Sequence, residues 1–227
     1  MTRPQMRVPL LFTAAGPGDA HLVADLIATA FQPLEVAAWL VADPDERLRA
    51  LYADFRIVVE HAIAHGEVWI TGNQGGVAVW LPRTPDTPVP EIGDYARRVW
   101  LACGRYTGRF TALDDAFAAR HPTAAHHHLA ALAVHPDRRS CGLGSALLTE
   151  YHSRLDRTGI PAYLEASSRH SRALYLRHGY TDHGQPIHLP DHGPQLWPMW
   201  RTPQPTPSPS DGDPAGASRG SRAECPQ

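Results

Sequence analysis

The residues of this 227-residue chain that could form a ligand site lie most plainly in the stretch from Val134 to Ser145. An apolar strand pattern at 129–134 comes before it, and an apolar helical pattern at 145–155 follows it. The first N–H groups of a helix lack internal partners, and glycines such as Gly142 and Gly144 let an anion approach the backbone. The stretch therefore predicts a phosphate site made of main-chain amides, with a plain glycine-containing helix cap as the open alternative.

Two common phosphate motifs do not fit these residues. The ATP-type loop requires Lys and then Ser or Thr after its last glycine, but Gly144 is followed by Ser145 and Ala146. The dinucleotide fingerprint requires Gly or Ala three positions after Gly144, but Leu147 occupies that position. It also requires an early place in the chain. A different kind of phosphate-binding turn is therefore expected.

Three consecutive histidines, His126 to His128, raise the question of a metal site. Neighbouring residues of an extended segment point to opposite faces, so three adjacent histidines do not easily converge on one ion. We expect no metal, although one of these histidines could act as a proton acceptor if it lies near a cleft.

The hydrophobic periodicity predicts an alternation of strands and helices around the loop. Strands are predicted at 8–13 and 160–166, and closing strands from Tyr180 onward and at 196–200. The runs 68–70 and 77–81 are predicted to form a hairpin. The helices are predicted at 21–31, from Asp43 and Pro44 to Gly66, as two short helices within 95–119, and at 145–155 and 171–177. The proline-rich segment 82–90 is predicted to be a loop.

Composition narrows the class of protein. The formal net charge of −2 gives no general basic surface for nucleic acid, and no apolar run reaches the roughly 20 residues that span a bilayer. The first residues do not resemble a secretory signal, so a cytoplasmic protein is expected. Residues 1–201 are predicted to form one domain, and the Pro-, Ser- and Gly-rich residues 202–227 a disordered tail.

The loop and its surroundings resemble the GNAT superfamily of acetyl-coenzyme A dependent acyltransferases. Arg139, Gly142 and Gly144 match that family's pattern of Gln or Arg, two residues, Gly, one residue, and Gly or Ala. The segments 164–167 and 174–180 resemble its second motif, a strand followed by a helix with Leu-Tyr and a terminal Gly and aromatic residue. Residues 66–69 and 76–80 resemble the hairpin of puromycin N-acetyltransferase and its bacterial relatives, so the likeness runs from about Val8 to Trp200.

This resemblance implies an α/β (α+β) fold with a mixed, mostly antiparallel sheet that splays at its middle and is flanked by helices. It implies acetyl-coenzyme A as co-substrate, with main-chain groups of Ala133 and Val134 binding the pantetheine amides. The pyrophosphate would be bound by Arg139, Ser140, Cys141, Gly142, Leu143, Gly144 and Ser145. Ser140 and Cys141 depart from the glycine and basic residue that relatives often have there, which implies a stiffer loop with one cation fewer.

Acetyl transfer needs a neutral amine, donors for the oxyanion and an acid for the leaving thiolate. The resemblance implies the N–H of Val134 as oxyanion donor and Tyr175 as the acid, with a core aromatic of its helix as the alternative interpretation of Tyr175. Tyr163, Glu165 and Ser167 share one face of their predicted strand. Glu165 could accept the amine proton, directly or through water, or could be a structural hydrogen-bond acceptor.

The leading hypothesis is therefore an N-acetyltransferase for the primary amine of a small molecule, such as an antibiotic or aminonucleoside-like metabolite. It would act without metal, nucleic acid or membrane, as a monomer or homodimer. The acceptor pocket is expected from 31–39 and 95–119, with Trp39, Trp80 and Trp100 as stacking candidates, although a tryptophan is more often a buried core residue. A protein N-terminal or lysine acetyltransferase, and an acetyl-coenzyme A binding or sensing module without transfer activity, remain alternatives.

Overall fold

A computed structural model describes residues 11–85 and 92–205 of the chain. Outside the described residues lie residues 8–10 of the strand predicted at 8–13, residues 86–90 of the predicted proline-rich loop, and residues 206–227 of the predicted tail.

Within these residues, eight strands form one open mixed sheet, in the order β1-β2-β3-β4-β5-β8-β6 with β7 paired to β8. All described pairings are antiparallel except that of β4 with β5. The predicted fold class is confirmed. The strands are β1 Phe12–Ala14, β2 Glu67–Thr71, β3 Gly76–Arg83, β4 His126–Val134, β5 Ala162–Ala166, β6 Thr181–Asp182, β7 Ile187–His188 and β8 Gln195–Arg201.

Seven α-helices flank this sheet in the described part of the chain: α1 Ala20–Phe31, α2 Glu35–Leu40, α3 Pro44–His65, α4 Tyr95–Cys103, α5 Thr107–Ala118, α6 Leu143–Thr158 and α7 Arg169–Arg177. The start of α3 is as predicted, because the Asp43 carboxylate accepts the N–H of Asp45 and Pro44 occupies the first turn. The two short helices predicted within 95–119 are confirmed, whereas α2 was not predicted. None of the described helices combines the length and apolarity that a membrane crossing requires.

The sheet splays between β4 and β5. These parallel strands pair only at His127 with Ala162 and at His128 with Tyr163, although β4 continues to Val134 and β5 to Ala166. On its other side β4 pairs with β3 along its whole length, with a β-bulge where Trp80 faces Leu129 and Val79 faces Ala131. Such a bulge bends a strand, and it lies where β4 and β5 part.

Three apolar clusters hold the layers together. Helices α1 and α3 pack on one face of the sheet with Val77, Val79, Ala131 and Ala133, and α6 and α7 pack on the other with Leu164 and Ala166. A third cluster packs helices α2, α3, α4 and α5 against the segment before β8. The Trp39 indole N–H donates to the carbonyl of Pro190 in that segment over 3.0 Å. The splayed edge is thus fixed from both faces of the sheet.

Candidate functional site

The edge of β4 beyond the splay presents main-chain groups of Leu132 and Val134. The N–H of His135 donates to the carbonyl of Gly75, so this pair is hydrogen-bonded and the neighbouring pair of Val134 with Gly76 is not. The alternation directs the N–H and C=O of Val134 and Leu132 away from β3, toward the side from which β5 has diverged. It directs those of Ala133 to β3, so the expectation that Ala133 presents main-chain groups to a cofactor does not fit this ladder.

The predicted phosphate loop leads from β4 into α6. A short 3₁₀ turn at Pro136–Arg138 follows the strand, and Gly142, with φ 79°, is the N-cap of α6. The N-cap glycine has no side chain that could cap this helix, and the first internal bond runs from the N–H of Ala146 to the carbonyl of Gly142. The N–H groups of Leu143, Gly144 and Ser145 therefore open the helix without partners inside it, as an anion site requires.

Two features of this loop bear on its shape. Ser140 adopts a left-handed backbone conformation with φ 63°, which glycine tolerates far better than serine. The Arg139 guanidinium donates to the carbonyl of Ala30 at the end of α1 over 3.1 Å, so the loop is connected to the opposite side of the sheet. The prediction that residues 139–145 bind a pyrophosphate stays a prediction with this geometry in its favour.

A buried polar cluster lies where β4 and β5 part. The Glu165 side chain is 4% exposed, and the Nε2 atom of His128 lies 2.9 Å from its Oε2 atom. His121, which follows α5, has its Nδ1 atom 4.0 Å from Oε1 of Glu165. Three buried polar atoms of this cluster have no hydrogen-bond partner among the described residues: Oε1 of Glu165, Nδ1 of His128 and the hydroxyl of Tyr163. Glu165 thus lies in a cluster with unused hydrogen-bonding capacity.

The protonation of this cluster follows from its contacts. Nδ1 of His126 lies 2.7 Å from the carbonyl of Ala124, which only accepts, so Nδ1 bears the proton and Nε2 of the neutral ring accepts. Nε2 of His121, 3.1 Å away, is then the donor. Burial lowers the pKa of His121 to about 4, so the ring is neutral and its Nδ1 lone pair faces Glu165.

Glu165 is ionised in this setting. Burial by itself would raise its pKa, but the charge and hydrogen bond of His128 hold the pKa below the ordinary range of a glutamate. A carboxylate oxygen and an imidazole lone pair therefore face each other across 4.0 Å. An N–H donor between them could hydrogen-bond both at about 2.8 Å, the usual length of such bonds.

The alternation expected for the three adjacent histidines is visible in β4. The Nδ1 atom of His127 lies 2.8 Å from the hydroxyl of Tyr151 on the α6 side, whereas His126 and His128 lie near His121 and Tyr163. The sequence did not single out His121. This histidine nevertheless completes the one group in residues 11–85 and 92–205 that could hold a metal ion, since ligand atoms of His121, His128 and Glu165 lie within 4.8 Å of one another.

Tyr175 lies on the opposite face of the sheet from Glu165. It is 7% exposed, packs in the cluster of Leu164 and Ala166, and contacts Tyr180 edge to face at 5.7 Å between ring centroids. Burial raises the pKa of its phenol, which is therefore protonated at neutral pH. Because alternate residues of β5 point to opposite faces, a carboxylate and a phenol flank the splay from its two sides.

The three tryptophans expected in an acceptor pocket have different surroundings. Trp80 is fully buried and stacks on Tyr151 at 4.1 Å, so it is a core residue and the expectation is wrong for it. Trp39 is 8% exposed, with the Arg109 guanidinium over its ring, and Trp100 is 61% exposed. Trp39 and the helices α4 and α5 remain candidates for the acceptor side, since α5 leads directly to His121.

Comparisons with known proteins agree with this architecture. Residues 96–182 match the family described as Acetyltransferase (GNAT) domain. A Corynebacterium glutamicum structure described as histone acetyltransferase HPA2 and related acetyltransferase is 25% identical, with a TM-score of 0.64 over 88% of this chain and 99% of that one.

Two further solved structures are similar in fold. The PaiA N-acetyltransferase of Thermoplasma acidophilum, solved in complex with coenzyme A, has 9% identity and a TM-score of 0.54 over 86% of this chain and 99% of its own. Arylalkylamine N-acetyltransferase 2 of Aedes aegypti has 13% identity and a TM-score of 0.54 over 87% of this chain and 100% of its own.

Proposed function

This chain is a member of the GNAT superfamily of acetyl-coenzyme A dependent acetyltransferases, and from this premise we propose that it acetylates the primary amine of a small molecule. The co-substrate is acetyl-coenzyme A. Its pantetheine arm lies along the free edge of β4, against Leu132 and Val134, and its pyrophosphate at the start of α6. The N–H of Val134, which points to that edge, donates to the carbonyl oxygen of the acetyl group as charge develops there.

The observation that supports this reaction is the cluster of Glu165, His128 and His121 at the splay. The ionised Glu165 and the neutral His121 offer two acceptors to an incoming ammonium group. Glu165 takes one proton from the ammonium group, and the neutral nitrogen attacks the thioester carbonyl. The second proton passes from that nitrogen to Nδ1 of His121 as the C–S bond breaks. His128 orients the carboxylate through its 2.9 Å contact. Tyr175, on the other face, protonates the departing thiolate.

The acceptor approaches, in this proposal, from the side of α4 and α5. The chain passes from the end of α5 to His121, so these helices and the proton acceptor form one side of the site. Apolar and aromatic residues of α2 to α5 pack into a common cluster with Trp39. Such a lining suits an amine attached to a flat or apolar body better than a highly charged one. An antibiotic or aminonucleoside-like metabolite, acetylated in the cytoplasm, belongs to that class.

A thiol-release assay with acetyl-coenzyme A and a panel of amines tests the proposal. The panel contains aminonucleosides, arylalkylamines, aminoglycosides, polyamines and a lysine-containing histone-tail peptide. We expect turnover with one small-molecule class, and a loss of about 100-fold or more in kcat for Glu165→Gln, the usual value of a positioned base. Coenzyme A binding should be unchanged, because the proposed cofactor contacts are on β4 and the start of α6 and do not include Glu165.

Matched variants make the result specific. Glu150→Gln removes an exposed carboxylate of α6 and should keep full activity, while Glu165→Asp keeps a carboxylate if the amide variant folds poorly. Full activity of a folded Glu165→Gln would contradict the proton-acceptor role. Turnover of the peptide alone would favour a protein acetyltransferase, the candidate supported by the Corynebacterium glutamicum relative. Binding of acetyl-coenzyme A without any turnover would favour a sensing module.

A further inference from the structure

Two acceptor atoms of the polar cluster at the splay face each other without a proton between them, Nδ1 of His121 and Oε1 of Glu165. Oε1 makes no hydrogen bond with the described residues although the side chain is 4% exposed and the Tyr163 hydroxyl lies in the same cluster. Buried acceptors that lack donors are costly, and a bound cation is one way to satisfy them.

We propose that His121, His128 and Glu165 form a binding site for one first-row divalent transition cation, with Zn²⁺ as the probe. Two imidazoles and a carboxylate are a common ligand set for zinc, and imidazole selects against Mg²⁺ and Ca²⁺. The ligand atoms lie within 4.8 Å of one another. Tetrahedral zinc with ligands at 2.0–2.1 Å needs separations of about 3.3 Å, which lies between the 2.9 Å and 4.0 Å measured here.

The surroundings fix one ligand in the required form. His121 offers Nδ1, since its Nε2–H donates to His126 and His126 in turn donates to the carbonyl of Ala124. A hydrogen bond from the far ring nitrogen orients a metal-binding histidine and fixes its tautomer. Three protein ligands leave the fourth position of the ion open to water or to an amine.

A neighbouring positive charge sets a limit on the affinity. Arg83 of β3 interacts electrostatically with Glu165 and with His121, and its buried Nε atom makes no hydrogen bond within the described part of the chain. Its charge repels a cation in the cluster. The Arg83→Gln variant should therefore bind zinc at least as tightly as the wild type.

The consequence for activity rests on the proposed function. An ion held by Glu165 and His121 occupies the electron pairs that would accept the proton of the amine. Zinc should therefore inhibit acetyl transfer in competition with the amine and leave coenzyme A binding unaffected. The ion is an inhibitor in this account and has no part in the transfer step.

Calorimetric titration of tag-free protein with Zn²⁺ alone tests the site without any use of activity. We expect one ion per chain and at least about tenfold weaker binding to His121→Gln, a variant that lacks one of three ligands. The control is His65→Gln. His61 and His65 lie on one face of α3 with their ring centroids 4.8 Å apart, so this pair is the alternative place where zinc could bind. The control should bind zinc as tightly as the wild type.

A second readout reports the ligands themselves. Co²⁺ in a four-coordinate site with nitrogen ligands absorbs visible light strongly, and this band should be present in wild type and His65→Gln and missing in His121→Gln. Equal zinc affinity of wild type and His121→Gln, loss of binding in His65→Gln, or no heat at all would overturn the proposal. Failure of the acetyltransferase assay would leave these binding results unchanged, so the two proposals fail separately.

Discussion

Ser140 is a strained position in the loop that precedes α6. Its φ of 63° lies in the left-handed region, where a side chain with a Cβ costs about 1–2 kcal/mol. Glycine removes this strain but loses roughly 0.5–1 kcal/mol through the greater freedom of the unfolded chain. Ser140→Gly should therefore raise the free energy of unfolding by about 0.5–1 kcal/mol, measured by urea denaturation.

The neighbouring glycine provides the matched control for this prediction. Gly142 also has a positive φ, 79°, so Gly142→Ala should lower the free energy of unfolding by about 1 kcal/mol. A destabilised Ser140→Gly variant would show that the loop does not adopt the conformation described here.

Tyr175 can be tested as the acid without a large structural change. Burial is the only cause that raises the pKa of its phenol, with no charged or hydrogen-bonding side chain contributing in the described part of the chain. Tyr175→Phe should therefore keep its melting temperature and coenzyme A affinity. We expect kcat to fall by about 10- to 100-fold, because the thiolate then leaves without a positioned proton donor. An unchanged kcat across the pH range would exclude this role.

The packing of α3 against α4 and α5 encloses a second group of acids. Burial, followed by the charge of Asp114, raises the pKa of Asp54 to about 7, and Asp114 accepts a hydrogen bond of 2.8 Å from Tyr95. The folded state thus holds a proton on Asp54 that the unfolded state, with a pKa of 3.8, releases. Stability is therefore lost as the pH rises from about 4 to about 7.

Asp54→Asn removes this pH dependence, because an amide does not ionise. The difference in free energy of unfolding, variant minus wild type, should therefore grow in favour of the variant as the pH rises from 5 to 8. The gain is about 1.4 kcal/mol for each pH unit up to pH 7, which is up to about 3 kcal/mol in total. Urea denaturation at the two pH values measures this. The exposed Asp25→Asn of α1 is the control and should show no such change. Equal effects of Asp54→Asn at both pH values would contradict a raised pKa.

At the scale of elements, the sequence predicted those features that depend on local chemistry. The Asp43–Pro44 start of α3, the hairpin around Gly72 to Gly76 and the turn into α6 each have their own residue signals. The six-residue helix α2 is too short for a periodic pattern. β4 was predicted from Leu129 only, since the polar His126 to His128 give no strand signal, although they pair with Arg83, Pro82 and Leu81.

The composition of the candidate site could be predicted only in part. Glu165 and Tyr163 share a face because of simple alternation along a strand, and the sequence was sufficient for that. His121 lies far from Glu165 in the sequence, and their proximity depends on how α5 returns to the sheet. The exclusion of Ala133 from the free edge likewise depends on the bulge and register between β3 and β4, which no local pattern encodes.

At the scale of the whole molecule, our proposal assigns separate tasks to separate sides of one gap in the sheet. The free edge of β4 and the start of α6 are the proposed cofactor site, while Glu165 and His128 lie on one face of the sheet and Tyr175 on the other. The fold itself is shared, over 84–88% of the chain, with several solved acetyltransferase structures. Loss of the proposed cofactor site should abolish activity even when Glu165 and Tyr175 are intact.

Calorimetric titration of the wild type and of Gly142→Val with coenzyme A is the most direct test of the cofactor site. A β-branched residue at φ 79° forces the start of α6 out of its present conformation. We expect one saturable site in the wild type and at least about tenfold weaker binding in a folded Gly142→Val variant, with no comparable loss in Glu165→Gln. No binding heat from the wild type at millimolar coenzyme A, or equal affinity in Gly142→Val, would contradict it.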